Sequence, residues 1–123
     1  MAKKIVVIDD EKIVCDMAKK ILEAEGYEVE TFTDSQAALD RIRTRSFDLV
    51  ITDLKMENVS GMDILKEVNR LYPHTRVIML TAMENKAAAT RAVYLGAVDF
   101  LVKPFLPSQV IEKLEKLLKP RGT

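Results

Sequence analysis

Few side chains in this sequence could share one reaction, and they are unevenly placed. Asp9 and Asp10 are adjacent, Asp53 and Thr81 each follow an apolar run, and Lys103 precedes a proline. Three carboxylates brought within reach of one another repel, and at least one would then hold its proton above the ordinary range. A hard divalent cation relieves that conflict, and an all-oxygen ligand set with room for water suits Mg²⁺, with Mn²⁺ as the second choice. Asp9 and Asp10 would form the paired metal side. Lys103 can pair with a carboxylate at rest and with a phosphoryl oxygen when one arrives, and the Thr81 hydroxyl can donate to another such oxygen. This combination suits phosphoryl transfer, where catalysis is largely positioning and charge stabilisation. No Ser–His pair and no reactive cysteine competes for the role of nucleophile, so Asp53, attacking phosphorus to give an acyl phosphate, is the leading candidate. Taken singly, each residue has an ordinary structural reading. Asp10 or Thr81 could cap a helix, Asp53 could begin a turn, and Lys103 could be a solvated strand end.

What favours chemistry is that all five stand where strands stop. Ile5-Val6-Val7-Ile8, Leu49-Val50-Ile51 and Val77-Ile78-Met79-Leu80 are short apolar runs, as expected of strands buried on both faces. Tyr27 to Phe32 alternates apolar and acidic residues and reads as an edge strand, and Val98 to Val102 leads into Lys103-Pro104. Between these runs the period turns helical. Ile13, Val14, Met17, Ala18, Ile21 and Leu22 form one stripe, stopped at Gly26. A second helix, capped by Asp34 or Ser35, carries Ala37, Ala38, Leu39 and Ile42, and a third after Gly61 carries Ile64, Leu65, Val68 and Leu71 before Pro73. An alanine-rich helix from about Asn85 to Leu95 ends at Gly96, and Pro107 opens the last, with Val110, Ile111, Leu114, Leu117 and Leu118 inward. Strands alternating with helices predict a single doubly wound α/β domain around a five-stranded parallel sheet, the strands in order 2-1-3-4-5. In such sheets ligands bind beyond the carboxyl ends of the strands, where these five residues lie.

Composition narrows the rest. A chain of 123 residues with 48% hydrophobic and 31% charged residues suits one domain with its own core, over residues 1–119, with 120–123 as a tail or the start of a linker. Nineteen basic residues balance nineteen acidic ones, so no net field draws the domain to nucleic acid or to an anionic membrane, and neither is expected as a direct partner. No apolar stretch approaches the ~20 residues of a membrane span. The single cysteine, Cys15, allows no internal disulfide, and a cytoplasmic setting is expected. Cys15 and the scattered methionines read as packing, and His74 as a solvated turn residue.

These residues have a recognisable arrangement. Val7-Ile8-Asp9-Asp10, Asp53 with Gly61 eight residues on, Thr81-Ala82, Gly96-Ala97-Val98-Asp99-Phe100 and Lys103-Pro104-Phe105 occur in order. From about Lys4 to Leu118 the sequence resembles the receiver domain of two-component response regulators. The resemblance implies that Asp53 accepts a phosphoryl group from a histidine kinase or phosphotransfer protein. It also implies that Asp9, Asp10, Asp53 and the backbone carbonyl of Lys55 hold Mg²⁺. Thr81 and Phe100 would form a switch pair, Lys103 would bind the phosphoryl group, and the Lys103–Pro104 peptide would be cis. The surface of the fourth helix, fifth strand and fifth helix would then control an output domain or target protein, with Tyr94 as one exposed anchor and a phosphorylation-dependent homodimer as a further expectation. The chain would be a phosphoacceptor switch that assists its own phosphorylation and dephosphorylation, rather than an enzyme acting on other substrates. One position departs from the family pattern: Glu57 stands where a proline is usual, four residues after Asp53. Lys55 and Met83, each two residues past a site residue, would tune the lifetime of the acyl phosphate.

Three other readings fit less well. A Mg²⁺-dependent hydrolase of the haloacid-dehalogenase type needs a second aspartate where Lys55 stands, and no phosphate-binding loop of the flavodoxin kind follows the first strand. A degenerate receiver used only for binding would not need the full set of five residues.

Overall fold

The computed structural model describes residues 2–118; the tail predicted at 120–123 lies outside them. The elements in chain order are β1 (Lys4–Ile8), α1 (Lys12–Ala24), β2 (Glu28–Phe32), α2 (Ser35–Thr44), β3 (Leu49–Asp53), α3 (Gly61–Leu71), β4 (Arg76–Ala82), α4 (Lys86–Tyr94), β5 (Asp99–Lys103) and α5 (Pro107–Leu118), with a 3₁₀ turn (Met83–Asn85) before α4. All strands are parallel, in the order β2-β1-β3-β4-β5. The expected architecture is therefore the observed one.

Strand alternation divides the core into two layers. Val6, Ile8, Val50, Val77 and Met79 face α2, α3 and Ala92 of α4, while Ile5, Val7, Ile51, Ile78 and Leu80 face α1 and α5. Each such side chain, fully removed from water, contributes roughly 1.5–3 kcal/mol before chain entropy is counted. Both faces of β1 and β3 are covered, which is why these strands read as continuous apolar runs.

Several local expectations are corrected. Ile13 is 75% exposed and Met17 39%, because α1 rests on Val14, Cys15, Ala18 and Leu22, a narrower stripe turned away from both residues. Met83 is also exposed, so among the described residues the methionines are core filler only at Met79 and, more loosely, at Met56 and Met62. Neither Asp10 nor any other side chain caps α1; Asp9 instead accepts the Glu11 N–H at 2.9 Å. Helix α4 runs where it is expected, from its N-cap Asn85 to its C-cap Leu95, and a 3₁₀ turn over Met83–Asn85 leads into it. Thr81 lies inside β4, and β5 begins at Asp99.

Candidate functional site

Parallel pairing sets the site. Ile8 lies beside Thr52, Asp53 beside Leu80, and Ala82 beside Lys103, so the ends of β1, β3, β4 and β5 come level at one edge of the sheet. The carboxylates of Asp9, Asp10 and Asp53 gather there, with one oxygen of each within 4.8 Å of the others. Asp9 is fully buried and Asp53 nearly so, whereas Asp10 is exposed. The Lys103 ammonium lies among them, 3.0 Å from Asp9 Oδ2 and 3.3 Å from Asp53 Oδ2. Its third partner, Glu11 Oε1 at 3.3 Å, was not foreseen, since an exposed glutamate beside an Asp-Asp pair carries no signal of its own.

The electrostatics follow from burial and from the mismatch of charge. Burial pushes the Asp53 carboxyl above its ordinary value, reinforced by the Asp9 charge and only partly opposed by Lys103. Burial also raises Asp9, against the Glu11 N–H and Lys103, which favour its charged form. For Lys103, burial disfavours the ammonium, but the hydrogen bond to Asp9 and the charges of Asp53 and Asp9 outweigh it, and the group is held above the usual lysine range. Three carboxylates facing one ammonium leave excess negative charge on hard oxygen donors. That donor set fits a divalent cation of the Mg²⁺ class.

Among the described residues, the remaining predicted ones make no hydrogen bond to these carboxylates. Thr81 is 1% exposed, and its hydroxyl donates to the carbonyl of Ala82 at 3.1 Å, not to a carboxylate. Phe100 is half-buried against the layer that includes Met79, its partner in register, and lies diagonally from Thr81 on the same sheet face. Lys55 is exposed in the loop after β3, and the Lys103–Pro104 peptide is cis.

The phosphoacceptor candidate is held from behind by α3. A Cβ on Gly61 would stand 2.3 Å from the Asp53 carbonyl oxygen and 2.9 Å from Leu54 Cα, so only glycine lets the helix start this close to the strand end. The Gly61 N–H donates to the Leu54 carbonyl at 3.0 Å, and a capping box between Ser60 and Asp63 fixes the first turn.

Residues 5–115 match the sequence profile of the response regulator receiver domain. The chain belongs to that family. Among curated relatives, the chemotaxis protein CheY of Thermotoga maritima is 35% identical over 97% of this chain and 100% of its own length. The regulatory protein VanRc of Enterococcus gallinarum is 32% identical, and this chain spans about half of it (51%). Among solved structures, a response regulator receiver domain protein from Clostridium thermocellum superposes with a TM-score of 0.88 at 38% identity, covering 96% of this chain and 94% of that one. The matched relatives thus include one of about this length and one about twice as long. Within it, this receiver has the acidic cluster and the bridging lysine side by side.

Proposed function

We propose that this receiver accepts a phosphoryl group on Asp53 from the phosphohistidine of a sensor kinase or phosphotransfer protein, in a Mg²⁺-dependent reaction in a cytoplasmic setting. The observation that carries this reading is the Lys103 ammonium bridging Asp9 and Asp53 at the mouth of the carboxylate cluster. An oxygen of Asp53 forms the new P–O bond while the P–N bond breaks, and the leaving ring nitrogen keeps the electron pair and takes a proton from solvent. Asp9, Asp10, Asp53 and the Lys55 carbonyl would hold Mg²⁺, which when bound supplies positive charge to the phosphoryl oxygens. Lys103 exchanges its contact with Asp53 for one with the phosphoryl group, and the Thr81 hydroxyl leaves the Ala82 carbonyl to donate to the same group. The domain is thereby a switch that assists its own modification and its reversal.

The added charge favours one arrangement of Thr81 and Phe100 over another, and with it one form of the α4–β5–α5 surface. Tyr94 at 88% exposure, with Leu95 and Val98 also exposed, supports that surface as the contact for an output domain, a target protein or a second copy. Intact mass after incubation with acetyl phosphate, with and without Mg²⁺, tests the reading. The expected result is a Mg²⁺-dependent gain of one phosphoryl group that Asp53→Asn abolishes. No gain in the wild type would overturn it. Equal sedimentation of the two forms would remove the homodimer.

A further inference from the structure

Two residues in tandem, Asp34 and Ser35, could each cap α2, and only Asp34 does so, accepting from the N–H groups of Gln36 and Ala37. Ser35 is left for another task. It is 4% exposed, and its hydroxyl donates to the Glu57 carbonyl at 2.8 Å while accepting from the Val59 N–H at 3.2 Å. These two groups flank Asn58, whose φ of 66° lies in the left-handed region that residues other than glycine seldom adopt. The loop is pinned at its ends, by Leu54 N–H to the Leu80 carbonyl and by Gly61 N–H to the Leu54 carbonyl. Among the described residues, no other hydrogen bond holds the backbone from Lys55 to Val59.

The same loop carries Glu57, at the position where the resemblance stated above implies a proline. A proline there would fix φ by its ring, with no partner needed, just before a residue of positive φ. The Glu57 N–H has no acceptor among the described residues, so a proline would remove no bond. From this we infer that Ser35 is a positioning residue that replaces the missing proline: by gripping both sides of Asn58, it holds the β3–α3 loop, and the Lys55 carbonyl it carries, at the edge of the acidic cluster. Asp10, Ser35, Met56 and Glu57 border one small cleft, which puts the grip beside the exposed member of that cluster. The inference rests on the reading above, in which the Lys55 carbonyl serves Mg²⁺.

Four proteins test it: wild type, Ser35→Ala, Glu57→Pro and the double variant. Each is titrated with MgCl₂ while the backbone amide resonances of residues 55–60 are followed, and Val59 amide exchange is measured without metal. Ser35→Ala is expected to weaken Mg²⁺ about fivefold, the worth of about one net hydrogen bond, and to speed Val59 exchange about tenfold or more. In the Glu57→Pro background the same substitution is expected to change Mg²⁺ affinity less than twofold. An equal loss in both backgrounds, or unchanged Val59 exchange, would overturn the inference. If the wild type binds no Mg²⁺, the phosphoacceptor reading fails instead, and Val59 exchange alone decides whether Ser35 locks the loop. Should Ser35→Ala not fold, folding of the double variant is the expected rescue, and failure of both overturns the inference.

Discussion

At the scale of residues, the acidic cluster works against the fold that carries it. Asp53 keeps its proton to higher pH in the folded chain than at its ordinary value near 3.8, because it is buried beside Asp9. A group raised on folding stabilises the fold below its unfolded pKa and loses that contribution as pH rises through the folded value. At neutral pH without metal, the charged carboxylate is therefore a net cost, and Asp53→Asn should raise the melting temperature by roughly a few degrees. A thermal melt in EDTA at pH 7 checks this, and a fall would count against it. Lys103 has the opposite sense: replacing it with Met strands Asp9, which has no exposure, and should cost about 1–3 kcal/mol by denaturant titration. That Asp9, Asp10, Asp53 and Lys103 gather at one sheet edge was legible in the sequence, because residue type and strand-end position coincide. The third partner of Lys103 and the grip of Ser35 were not, since both depend on how loops from distant parts of the chain meet. The one hint was the Asp34-Ser35 pair, two capping residues where a helix uses one.

At the scale of elements, apolar runs announced the strands, and helical spacing announced the helices that cover them. What spacing could not give was rotation. Ile13 shares the period of the α1 stripe yet faces solvent, because the sheet accepts only the line through Val14, Ala18 and Leu22. Helix α3 makes two predictions. Gly61→Ala would force its start away from the Asp53 carbonyl, and overpacking against backbone should cost about 1–3 kcal/mol while slowing acetyl-phosphate labelling. Full labelling rate in a destabilised variant would show that the close approach does not position Asp53. The second concerns Glu67, which hydrogen-bonds Arg70 within α3 and Arg43 across on α2; these bonds pull its carboxyl down to about 2. A lowered acid stabilises the fold above its ordinary pKa of 4.5 and loses that effect as pH falls toward about 2. The melting-temperature gap between wild type and Glu67→Gln should therefore close across that window, and a constant gap would show that the ion pairs contribute nothing.

At the scale of the whole molecule, a cation that binds only the folded chain must stabilise it, by about 2.7 kcal/mol at a hundredfold excess over Kd. Millimolar MgCl₂ should raise the melting temperature of the wild type, EDTA should return it, and Asp53→Asn should respond less. The helices flanking β3 and β4 differ in how firmly they are anchored. Helix α3 begins in a capping box, touches the backbone of the strand end and buries Ile64, Leu65 and Val68. Helix α4 has no side-chain cap, follows a 3₁₀ turn and seats only the two methyl groups of Ala89 and Ala92. Mechanically, the first is an anvil and the second a loosely sprung lever. If phosphorylation places a load at Asp53 as proposed, the α3 side would yield least and the displacement would go to the α4 side, where Tyr94 stands at the lever's far end.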